Sequence, residues 1–157
     1  GDHLRTTVMR CAAHLRSMPP ADAAQPRSAG KWSPKEIIGH LIDSATNNHG
    51  RFVRAQLHDS MRFEGYDQDG WVRVQRYADA DWMELITLWE HMNLHLAEVM
   101  ERASPESLHR VRTDHNLHLR AFRPITENRP TTLAWFMEDY VMHLEHHLRQ
   151  IDAEMLA

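Results

Sequence analysis

The chain has 157 residues, a net charge of −4, 42% hydrophobic and 25% charged residues, proportions ordinary for a soluble globular protein. The mild acidic balance weighs against a nucleic-acid-binding surface; no apolar run approaches the ~18 residues of a membrane span, and no signal peptide is visible. The length predicts one domain, residues 1–157, with a core that needs no staples, and the single Cys11 excludes an internal disulfide, which suits a cytoplasmic setting.

Residues 2–16 place Leu4, Val8, Cys11, Ala12 and Leu15 at i, i+4, i+7, i+8 and i+11, predicting a first helix in which Cys11 packs rather than reacts. Met18-Pro19-Pro20 ends it, and residues 21–31 read as loop. Ser33-Pro34-Lys35-Glu36 then forms a capping box, with Ser33 as N-cap, Pro34 at the first helical position and Glu36 reaching back. Trp32, just before it, is placed to staple onto Ile37. A second helix is therefore expected over 34–59, with Ile37, Ile38, Leu41, Ala45, Asn48, Phe52 and Ala55 on its core side. Beside them His40, Ser44, Asn47 and Arg51 recur within a polar band about 60° wide. Such a band is ordinarily solvated, but this one borders the core and is placed to line a pocket between helices.

Residues 60–79 read as a long aromatic loop in which Tyr66 and Trp71 plug one end of a bundle. A third helix follows over 80–103, with Trp82, Leu85, Trp89, Met92, Leu96, Val99 and Met100 on its apolar face. Its HxxxH pair, His91 and His95, lies off that face and reads as surface. Ser104-Pro105-Glu106-Ser107 caps one short turn. Residues 108–130 are a polar excursion, with a short hairpin expected around 111–112 and 117–119 and with His109, His115 and His118 solvated.

Thr131 or Thr132 caps a last helix over 132–156, whose apolar stripe is Leu133, Phe136, Met137, Tyr140, Leu144, Leu148, Ile151 and Met155. His147 falls within that stripe, His143 on its flank and His146 toward solvent. His143 and His147 are one turn apart, roughly 5–6 Å at Cβ, close enough to grip one ion through bonds of about 2.0–2.1 Å. Burying either ring without a partner costs about 1–3 kcal/mol, so each needs a hydrogen bond or a metal. The HExxH metalloprotease pattern is absent, because Glu145 sits mid-motif and points away from His147. A third ligand has to come from another element. Four long amphipathic helices with extended connections predict an all-α four-helix bundle.

The ordered set Trp32-Ser33-Pro34, His40-Leu41-Ile42-Asp43-Ser44, Asn47, Arg51-Phe52, Tyr66-Asp67, Trp71 and His143-x-x-x-His147 resembles the DinB superfamily, in particular its YfiT-like branch, over about residues 30–150. The resemblance implies a DinB-like bundle in which His40 joins His143 and His147 around a divalent ion such as zinc or nickel, with one position open to water. Ala45 stands where some YfiT-like members carry a further histidine. The branch is described as metal-dependent hydrolases, which implies water activation for attack on a small-molecule substrate. Other DinB-like proteins are thiol-dependent transferases and isomerases, which implies as an alternative a metal-held low-molecular-weight thiol as S-nucleophile. A homodimer is expected on the same ground. Arg51 and Asn47 are candidates to orient an anionic or amide-bearing substrate, and Asp43 to orient an imidazole or act as a base. A bundle whose metal is structural or adventitious is the non-catalytic alternative, since the sequence holds no Ser/His/Asp or Cys/His nucleophile arrangement.

Overall fold

The computed structural model describes residues 1–156. Its helices, in chain order, are α1 (Asp2–Ser17), α2 (Pro20–Ala23), α3 (Pro34–Leu57), α4 (Gln68–Gln75), α5 (Trp82–Glu101), α6 (Pro105–His109) and α7 (Leu133–Ile151). The four long ones, α1, α3, α5 and α7, make the bundle. α3 packs against both α5 and α7, and α1 packs against α5 and the 3-10 turn Ala153–Leu156 that follows α7.

Local signals account for where these helices start. At α3 both halves of the capping box form: Glu36 N donates to Ser33 Oγ, and Ser33 N donates to Glu36 Oε2 at 2.8 Å. Losing such a cap costs about 1 kcal/mol. Asp81 caps α5 through Glu84 N, and Thr132, rather than Thr131, caps α7 through Trp135 N. The ends fall slightly inside the expected ranges, at Leu57, Glu101 and Ile151.

The core is built where the stripes meet. Phe52 of α3 sets its ring edge-on to Phe136 and Tyr140 of α7, with centroids 5.5 and 5.9 Å apart, the arrangement that aromatic quadrupoles favour. Phe63, from the connection after α3, stacks on Phe136. Trp82 of α5 is buried and satisfies its indole N–H on Leu15 O of α1.

The connections differ from the sequence reading. The expected loop 60–79 contains α4 and a 3-10 turn at Tyr77–Asp79, and the expected loop 21–31 begins inside the single turn α2. The hairpin around 111–112 and 117–119 does not form. Arg112 pairs instead with Thr131 through bonds of 2.8 and 3.0 Å, Met61 bridges His115, and Leu117–Leu119 is a 3-10 turn. Among the described residues there is no β-strand beyond these isolated bridges. His115 is fully buried, not solvated: its Nε2 meets Arg129 O at 2.8 Å and its Nδ1 accepts from Leu117 N. It serves as the hydrogen-bonding centre that a strand ladder would otherwise supply. His118 is half-buried, and only His109 of the three is exposed.

Candidate metal centre and its cavity

His40 sits at the seventh position of α3, on the face turned to α7, with no solvent exposure. His143 and His147, one turn apart on α7, meet it from the opposite side. His40 Nε2 and His143 Nε2 are 3.4 Å apart, the ring centroids of His40 and His147 are 4.7 Å apart, and those of His143 and His147 4.6 Å. One nitrogen from each of the three rings lies within 4.8 Å of the other two.

Donor chemistry fits a metal. Burial holds His40 down to about 3, helped by the nearness of His147. Burial together with the neighbouring imidazoles holds His143 well below the usual histidine range, and burial lowers His147 as well. All three rings are thus neutral at pH 7, the form that ligates. The separation is also suitable, because a tetrahedron with arms of about 2.0–2.1 Å has edges of about 3.3–3.4 Å. His147 Nδ1 is committed to Gln150 Oε1 at 2.9 Å, so this nitrogen carries the proton and Nε2 presents its lone pair. Trp32 covers His40 from behind, with centroids 5.1 Å apart.

A cavity of about 370 Å³ opens on His143 and His147 and runs along α3 past Ser44, Asn48 and Arg51. Tyr66, Arg120 and Phe122 from the connections complete it. Phe122 lies at its mouth, with its ring 5.6 Å from His143 and 5.1 Å from His146. The Phe122 segment is fixed by Asp139 of α7, whose carboxylate accepts from Phe122 N at 2.9 Å, Arg123 N at 2.8 Å and Arg123 Nε. A second cavity, about 490 Å³, approaches His147 from the other side past Trp32, Lys31 and Arg27.

The remaining polar candidates divide. Arg51 is buried and faces the first cavity. Asn47 is half-buried, lies outside the cavity lining, and turns its amide back onto Asp43 O within α3. Asp43 is buried away from the cavity under the turn that follows α4, where Tyr77 Oη and Gln75 Nε2 each donate to its Oδ1 at 2.7 Å. Burial raises Asp43 above the usual carboxylate range, against the pull of those two bonds. No hydrogen bond joins Asp43 to His40; Asp43 Oδ2 and His40 Nδ1 are both buried and unpartnered among the described residues. His91, His95 and His146 are exposed, as expected. The sequence reading missed Asn48, Tyr66, Arg120 and Phe122. Asn48 left a signal, as an amide at a core position of α3, and Tyr66 stood in the ordered set without a site role.

Comparison with known proteins agrees with this architecture. The DinB superfamily model matches residues 3–151. YfiT from Bacillus subtilis, described as a probable metal-dependent hydrolase with an unusual four-helix bundle topology, superposes with a TM-score of 0.74 at 19% identity, covering 98% of this chain and 84% of that one. The mycothiol-dependent maleylpyruvate isomerase superposes with a TM-score of 0.69 at 11% identity over 95% of this chain; the match spans 57% of the isomerase. No curated protein matches the sequence.

Proposed function

We propose, from the premise that this chain belongs to the DinB superfamily, that it is a divalent-metal-dependent hydrolase of a small-molecule substrate. The observation that carries this reading is the convergence of His40, His143 and His147, three neutral imidazoles, beside a cavity of substrate size that His143 and His147 line. The likeness to YfiT supports the same reaction class. Zinc or nickel suits an all-imidazole donor set. When bound, the ion supplies a Lewis acid and a water acidic enough to act as nucleophile near neutral pH.

The chain's own residues do the rest. Gln150 fixes the tautomer and orientation of His147. Trp32 and Phe122 screen the imidazoles from bulk water on two sides, which strengthens every electrostatic interaction inside the site. Arg51 is the substrate-orienting residue, held by Glu64 O at 2.9 Å and by Asn48 Oδ1. Asp43 acts at one remove, by tying the His40 turn of α3 to Gln75 of α4, and Asn47 bonds back onto Asp43 O within α3.

One observation favours a second reading. His147 lines two cavities at once, which suits a reaction joining two molecules, such as transfer to a low-molecular-weight thiol. The test is elemental analysis after desalting, followed by ester and amide panels set against electrophile panels with and without added thiol. Stoichiometric metal and turnover without thiol support hydrolysis. Turnover only with thiol selects the second reading, and absence of metal overturns both.

A further inference from the structure

Arg51 and Arg120 line the same cavity, and the connection after α3 grips both. Arg120 Nε donates to Phe63 O at 3.0 Å, and Arg51 Nη2 donates to Glu64 O at 2.9 Å. The next residue, Gly65, is where the Arg120 guanidinium lies against bare backbone. A Cβ at Gly65 would stand 2.4 Å from Arg120 Nη1 and 2.8 Å from Cζ. Consecutive residues 63–65 therefore anchor both guanidiniums on one segment of the cavity wall.

No carboxylate among the described residues balances them. Among the described residues neither arginine forms an ion pair, and Arg120 Nη2 has no hydrogen-bond partner. The one carboxylate lining the cavity, Asp139, is matched by Arg123 and by two backbone N–H groups. Two guanidiniums cannot shed their protons, so a partly buried pair without a counter-charge is costly unless an anion completes it.

Their place along α3 is informative. Arg51 follows His40 by eleven residues, which is about 16 Å of helix rise and nearly the same angular position. Helical side chains lean toward the N-terminus, so Arg51 reaches back along the cavity toward the histidines. We propose that Arg51 and Arg120 form a carboxylate seat at the end of the cavity remote from the imidazoles, so that the substrate is a small molecule with a carboxylate at one end and its reacting group at the other. The seat rests on the reading of His40, His143 and His147 as the reacting centre only for that second half; the carboxylate site itself stands on the arginines. A planar fork of N–H donors matches a carboxylate by paired hydrogen bonds.

Binding to metal-stripped protein isolates the seat from the metal reading. N-acetylalanine and N-acetylcysteine, titrated calorimetrically, are expected to bind the stripped protein alike, and their amides at least about tenfold more weakly. Arg120→Met, which keeps an aliphatic side chain and removes the guanidinium, is expected to abolish the preference for acid over amide. Should that variant fail to fold, Gly65→Ala tests the same point by displacing the guanidinium while leaving both charges present. Metal reloading then identifies the bearer of the carboxylate: tighter binding of N-acetylcysteine alone assigns it to a thiol co-substrate, and equal binding to the molecule attacked. Amides that bind as tightly as acids, or an unchanged preference in Arg120→Met and Gly65→Ala, overturn the proposal. A protein that retains no metal but keeps the preference refutes the metal reading and leaves the seat intact.

Discussion

His40 Nε2 on α3 and His143 Nε2 on α7 face each other at 3.4 Å, closer than two protonated rings would tolerate. The contact joins two helices that are also held by the Phe52, Phe136 and Tyr140 rings, a packing that does not depend on it. Removing one imidazole should therefore empty the metal site without unfolding the chain. His40→Ala and His147→Ala are expected to lose stoichiometric metal while keeping the helical circular dichroism of the parent. Retention of a full equivalent in His40→Ala would show that the three rings do not share an ion.

The hydrogen bond from His147 Nδ1 to Gln150 gives a finer test. Gln150 is exposed and its side-chain hydrogen bonds run to His147 and His146, so Gln150→Ala should leave the unfolding midpoint nearly unchanged. Freed of its partner, the ring no longer favours one tautomer, and metal affinity should fall by about 10–100-fold. Competition with a chelator of known affinity measures it, and an unchanged affinity would mean that packing alone orients His147.

Protonation supplies the pH dependence. His40 takes up its proton near 6.5 in the unfolded chain but only near 3 in the folded one, because burial and His147 disfavour its charge. Between those values the unfolded state binds more protons, so acid favours unfolding. His143 and His147 are shifted in the same direction. Metal-stripped protein should keep its stability above about pH 6.5 and lose it progressively as the pH falls toward 3. Urea midpoints measured across that window should decline less steeply in His40→Gln, and equal slopes would indicate that His40 is not buried neutral.

The sequence was most legible where one element carries the whole signal. Ser33 and Glu36 announced the start of α3, and the spacing of His143 and His147 placed both rings on one face of α7. The convergence of His40 on that pair came from resemblance, because helix periodicity says nothing about which helices touch. α4 escaped notice because eight residues with only Gly70 and Val72 buried give a weak period. Asp43 stands outside the core positions that periodicity assigned to α3, and it is buried because Tyr77 and Gln75 fold over it. Arg120 and Tyr66 lie in irregular segments, where no periodicity marks an inward side chain.

The Asp43 cluster supplies the last test, through a glycine. Gly39, in the first half of α3, lies directly under the Tyr77 ring, and a Cβ there would meet Tyr77 Cδ2 at 2.1 Å. On helix propensity alone Gly39→Ala should stabilise by about 0.8–1.0 kcal/mol. The clash is with a buried ring whose hydroxyl is tied to Asp43 and Gln75, so the ring cannot simply swing away. The expected net effect is destabilisation, with overpacking costing about 1–3 kcal/mol. Tyr77→Phe, which keeps the ring and removes only the hydroxyl, should cost about 1–3 kcal/mol because Asp43 Oδ1 loses a buried donor. If the two residues act through the same contact, Gly39→Ala should cost markedly less once Tyr77 is also shortened to Leu. Additive losses in that double-mutant cycle would show that Tyr77 does not rest on Gly39, and that another element holds α4 over the His40 turn.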